Sequence, residues 1–206
     1  MKKHGKMITM AKYLSILFRP YYMPIVGFIA LFTVTYLSIL PWIYKATVLG
    51  MVYAFTILFP RLCVFIYRKL NGWAPYQFRL REYRAIPYIL FITSYMACLH
   101  IMNRVHLPHY MCGILVSALL IQTLCAIINV WWKISIHSAG AGGVIGALIA
   151  YSILFVFNPI WYLCLLILLA GAVGTARMLL RQHNLSQVVV GTILGVVCGF
   201  MGIILT

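Results

Sequence analysis

Apolar runs of about twenty residues follow one another along most of this 206-residue chain, with hardly a charge inside them. A bilayer core is crossed by roughly twenty residues of helix, and only helices or closed barrels satisfy their backbone there. The runs lack the strict alternation of a barrel strand. The chain therefore reads as all-α, a polytopic transmembrane helical bundle of about six to seven spans. Only 8% of its residues are charged, against about a quarter in a soluble domain. The length leaves room for one membrane domain, over residues 22–206, behind a basic interfacial segment at residues 1–21.

Hydropathy sets spans at Tyr22–Trp42, Ala46–Tyr67, Ile86–Met102, Pro108–Trp132, Gly140–Asn158, Ile160–Ala176 and Gln187–Thr206. Met7–Arg19 mixes basic and apolar residues and reads as a helix lying along the membrane surface before Pro20. Seven spans put the N-terminus and connections 2–3, 4–5 and 6–7 on one face. Thirteen of the sixteen Lys and Arg fall on that face; Lys45 and Arg104 lie opposite, and Arg61 sits inside the second span, where it can snorkel. Basic residues accumulate on the cytoplasmic side, so the N-terminus and these three loops are expected in the cytoplasm, in the inner membrane of a bacterium.

The charge imbalance narrows the chemistry. One acidic residue, Glu82, stands against sixteen basic ones. Anionic lipid, not nucleic acid, is the expected partner of cations placed at span ends. Carboxylate clusters that hold Mg²⁺ against phosphates cannot be built from one glutamate, so no metal or other cofactor is expected. The six cysteines lie within apolar runs and read as small buried hydrophobes. His100, His106 and His109 gather near the 3–4 connection and read as interfacial residues of the opposite face.

Three polar stretches open on the basic face. The first, Arg79-Leu80-Arg81-Glu82-Tyr83-Arg84-Ala85-Ile86-Pro87, places arginines before span three. A guanidinium fork can bond two phosphate oxygens at once. The second, Lys133-Ile134-Ser135-Ile136-His137-Ser138-Ala139-Gly140, sets a Ser-x-His at a small-residue helix start, where backbone N–H groups can seat an anion. The third, Arg177-Met178-Leu179-Leu180-Arg181-Gln182-His183-Asn184-Leu185-Ser186-Gln187, puts His183 and Gln187 four apart on one helix face. Gln187 can then accept a bond from one ring nitrogen and leave the other for a substrate. Each stretch alone is compatible with an ordinary interfacial or close-packed segment. Together they supply two histidines, several cations and a glycine-rich turn on one face, which suits metal-free phosphoryl transfer to histidine.

These motifs resemble those of the type 2 phosphatidic acid phosphatase (PAP2) superfamily, whose members share a helical core with vanadium haloperoxidases. The family pattern runs Lys-x6-Arg-Pro, Pro-Ser-Gly-His, then Ser-Arg-x5-His-x3-Asp. Here Ser135-Ile136-His137 resembles the second motif, and Arg177-x5-His183-x3-Gln187, followed by Gly191, resembles the third. Ile134 stands for the motif's Pro, Ile136 for Gly, Ala176 for Ser and Gln187 for Asp. Arg84-x-x-Pro87 is a loose first motif, with Gln77 where the family has Lys. The terminal Gln is similar to the dolichyl-diphosphatase branch.

The resemblance implies a lipid phosphate phosphatase. His183 would be the nucleophile, His137 the general acid and base, and Gln187 the residue that orients His183. Arg177, Arg84, Arg81, Lys133 and Ser135 would hold the phosphate. The expected substrate is a phosphomonoester such as phosphatidylglycerophosphate or phosphatidate, cleaved on the cytoplasmic side without a metal. An isoprenoid diphosphate is the alternative within this class. A catalytically inactive binding or scaffold protein is the alternative of another class.

Overall fold

A computed structural model describes residues 2–72 and 85–206. Every regular element among them is helical. The α-helices are α1 (Lys2–Leu17), α2 (Met23–Val34), α3 (Trp42–Tyr53), α4 (Phe59–Leu70), α5 (Ala85–Arg104), α6 (His109–Trp131), α7 (Ile136–Leu154), α8 (Ile160–Leu179) and α9 (Leu185–Ile204). Among the described residues, six helical stretches are long and apolar enough to cross a membrane: Trp42–Leu70, Ile86–Arg104, His109–Trp131, Ile136–Leu154, Ile160–Leu179 and Leu185–Ile204. They agree with six of the seven hydropathy spans to within a few residues. The protein is an integral membrane helical bundle.

The first expected span, Tyr22–Trp42, is not one continuous helix. α2 has twelve residues, a rise of about 18 Å at 1.5 Å per residue, short of a full crossing. Thr35 ends it in an extended conformation: its hydroxyl donates to the Leu31 carbonyl at 2.6 Å and accepts from the Leu37 N–H at 3.3 Å. Ser and Thr side chains offer the backbone such alternatives to the helix ladder. Hydropathy averages over this break. Upstream, Lys6–Leu17 and Pro20–Val34 meet at a 41° bend, and α1 packs along α8.

Trp42–Leu70 crosses with a local unwinding. Pro60 cannot donate to Thr56 and its ring would crowd that carbonyl. The helix responds with a π-helical segment over Ala54–Leu58. The Ser94 hydroxyl of α5 donates to the Phe55 carbonyl in that segment and ties α5 to it.

The tightest seam joins α7 to α9. A Cβ on Gly146 would lie 2.0 Å from the Val196 carbonyl oxygen, and one on Gly195 would lie 2.0 Å from that of Ala139. Gly191, Gly195 and Gly199, four residues apart on α9, are thus the contact row of a close helix pair, where small residues let two backbones approach. α6 joins α9 likewise: the Ser117 hydroxyl donates to Gly113 at 2.8 Å and lies 3.1 Å from the Gly199 carbonyl. This seam sets the start of α7 against the start of α9, and so brings together the two histidine motifs those starts carry.

Candidate active site

α8 ends in a Schellman turn. The Arg181 N–H donates to the Met178 carbonyl at 2.9 Å and the Gln182 N–H to the Arg177 carbonyl at 3.1 Å, with Arg181 left-handed at φ 51°. The chain then passes through His183 to Asn184, which starts α9. The five residues between Arg177 and His183 therefore span one helix turn and its reversal. Their spacing in the third motif is the length of that reversal.

His183 is buried, at 6% exposure. Its Nδ1 lies 3.0 Å from the Gln187 Oε1, and the same oxygen accepts the Asn184 N–H at 3.3 Å. An amide oxygen only accepts. The bond therefore puts the proton on Nδ1 and the lone pair on Nε2. Gln187 both turns the ring and caps α9.

Ser135 caps α7. Its hydroxyl accepts from the Ser138 N–H at 3.4 Å and pairs with the Ser138 hydroxyl at 2.9 Å, and the side chain is fully buried. Its N–H donates to the Gln187 carbonyl at 3.3 Å. Gly191 lies so close that a Cβ there would stand 2.8 Å from the Ser135 carbonyl oxygen. The second and third motifs are thus joined through backbone. The Ser135 hydroxyl, expected to touch phosphate, is engaged in the cap.

His137 sits one residue into α7. Arg177, His183 and Arg19 all lie close enough to act on its charge, and the Ser15 backbone is within its reach. Its Nδ1 is buried with no hydrogen-bond partner among the described residues. Such an atom is costly unless a ligand or water completes it. Arg177 reaches across from α8 and donates through Nη1 to the Ser15 hydroxyl at 2.7 Å. Lys133 is half-buried just before α7. Arg81 and Arg84 lie outside the described residues.

Arg19 is the residue sequence reasoning missed. It sits between α1 and the short 3₁₀ turn Pro20–Tyr22, in extended conformation, and donates to the Tyr21 hydroxyl at 2.6 Å. A signal for it was present. Lys12 and Arg19-Pro20 are spaced as Lys-x6-Arg-Pro, matching the family's first motif better than Arg84-x-x-Pro87 does. The bend at Pro20, which packs against Gly140 of α7, delivers Arg19 beside His137.

The PAP2 superfamily profile matches residues 129–205. Comparisons with curated proteins and with solved structures give no match. The matched stretch runs from the end of α6 through α9 and contains both histidines, both helix caps and the Schellman turn; over residues 129–205 the chain is similar to the PAP2 superfamily.

Proposed function

We propose that the protein hydrolyses a lipid phosphomonoester through a phosphohistidine on His183. The similarity of residues 129–205 to the PAP2 superfamily supports a phosphatase-type function. The observation that carries the finer reading is the Nδ1 bond of His183 to Gln187, because it sets the tautomer in which Nε2 is nucleophilic.

In the first step the Nε2 lone pair of His183 attacks phosphorus and the ester P–O bond breaks. The departing alkoxide takes a proton from His137 and leaves as the lipid alcohol. In the second step water attacks the phosphohistidine, His137 takes its proton, the P–N bond breaks, and inorganic phosphate leaves with His183 restored. Arg177 and Arg19 hold the equatorial oxygens, whose charge must stay balanced in the transition state. Lys133 adds positive charge just before α7, and Arg84 and Arg81, outside the described residues, stay expected phosphate ligands by the motif resemblance alone. Ser135 serves through the α7 cap. The chemistry asks for no metal. An uncharged Gln187 in place of an aspartate orients the ring but stabilises imidazolium less.

The scissile group lies where α7 and α9 begin, on the face that carries most of the basic residues, so the lipid enters from the cytoplasmic leaflet. The test is phosphate release by purified protein from phosphatidate and phosphatidylglycerophosphate with EDTA present. Turnover that persists is expected. Strict dependence on added Mg²⁺ would exclude the mechanism, and no turnover on any lipid phosphate would favour an inactive binding protein.

A further inference from the structure

Arg61 is a cation within a membrane span, where a charge is costly and marks a functional contact. It lies exposed on α4, nine residues before the helix ends at Leu70. The chain has one acidic side chain, Glu82, which lies outside the described residues. Arg61 instead faces the Tyr21 ring, with its Cζ 5.4 Å from the ring centre. Arg19 faces the same ring, with its Cζ 5.9 Å from that centre. The two guanidinium carbons are therefore at most 11.3 Å apart. The Tyr21 ring stacks on Phe91 of α5, with centroids 6.0 Å apart and planes 12° from parallel. Tyr21 is thereby fixed between the bundle and the two arginines.

The two arginines differ in one respect. Arg19 lies close enough to His137 to act on its charge, whereas Arg61 is held on α4. Arg19 thus stands by the reacting phosphate, and Arg61 shares the Tyr21 ring with it from an exposed position inside the Trp42–Leu70 span. Resting on the lipid phosphate reading above, we propose that Arg61 holds a second anionic phosphate of the substrate, one that lies between the scissile phosphate and the apolar tail. The preferred substrates are then lipids with two phosphates in series, either a diphosphate or a phosphomonoester linked through a phosphodiester. A charge-assisted bond to phosphate is among the stronger polar contacts, and cations bind it best where water is partly excluded.

The experiment compares phosphatidate with diacylglycerol diphosphate of the same acyl chains, so that only the second phosphate differs. Wild-type protein and Arg61→Gln are assayed for KM and kcat on both. Binding of the matching non-hydrolysable monophosphonate and methylene-bridged bisphosphonate lipids is followed by calorimetry. Arg61→Gln is expected to lower the preference for the two-phosphate lipid by about tenfold or more, through KM and through bisphosphonate affinity. Arg61→Lys should recover part of it, because the charge remains but the fork is lost. An equal loss on both lipids, or no change in the ratio, would overturn the proposal. The binding arm keeps the two ideas apart. A lost bisphosphonate preference in a protein that turns over nothing would uphold Arg61 and reject the phosphatase reading.

Discussion

The Oε1 of Gln187 accepts two hydrogen bonds at once, from the His183 ring at 3.0 Å and from the Asn184 N–H at 3.3 Å. One atom thereby joins the orientation of the nucleophile to the start of α9. Gln187→Leu keeps the bulk and removes both bonds. It is expected to lower kcat by about tenfold to a hundredfold, and to cost about 1 kcal/mol of stability from the lost cap. Gln187→Glu keeps the accepting oxygen and should retain the cap. Phosphate release and thermal unfolding in detergent would separate the two effects. A Gln187→Leu protein that loses stability but keeps full kcat would show that Gln187 is only a cap.

Arg177 donates to the Ser15 hydroxyl at 2.7 Å, so α1 covers the residue assigned to phosphate. A neutral hydroxyl is a weaker partner than a phosphate oxygen, and substrate should displace it. Ser15→Ala is therefore expected to change KM by less than about threefold, whereas Arg177→Gln and Arg19→Gln should each lower kcat/KM by about a hundredfold or more, the scale set by loss of one transition-state donor. Steady-state kinetics on phosphatidate checks this. Comparable losses in Ser15→Ala and Arg177→Gln would make the α1 contact part of the working site.

The spans were legible because their cause, the absence of charge over twenty residues, is a property of composition. The broken first span was not, because Thr35 acts through two specific hydrogen bonds that an average does not register. The histidine motifs were legible as spacing: Ser135 and His137 begin one helix, and His183 and Gln187 share a face of another. Arg19 was hidden for a different reason. Met7–Arg19 has the mixed character of a surface helix, and only the turn at Pro20 brings Arg19 to His137. The arginines nearest a span mouth, Arg81 and Arg84, drew the first motif toward them. Nothing in the sequence linked Arg61 to Tyr21, since that contact depends on how α4 stands beside the bend.

The Schellman turn after α8 carries Arg181 at φ 51°, where a Cβ costs roughly 1–2 kcal/mol. Glycine is the usual residue there. Arg181→Gly is expected to stabilise the protein by about 0.5–1 kcal/mol without changing the Arg177 to His183 spacing. Thermal unfolding of the purified protein measures it. A lower melting temperature would mean that the Arg181 side chain makes a contact worth more than the strain.

The two histidines should fail differently. His183→Ala is expected to abolish turnover. His137→Ala should slow an alkyl phosphate by about 10²–10⁴, the usual worth of a general acid, and slow an activated aryl phosphate far less in its first step, since an aryl oxide leaves with little protonation. Its second step still needs water activated. The most direct measurement is therefore mass spectrometry of His137→Ala protein after brief exposure to an aryl phosphate, quenched in base. A phosphate adduct on the peptide carrying His183, stable to base, lost in acid and absent from the His183→Ala protein, is predicted. Turnover with no such adduct, or an adduct at another residue, would contradict the phosphohistidine mechanism.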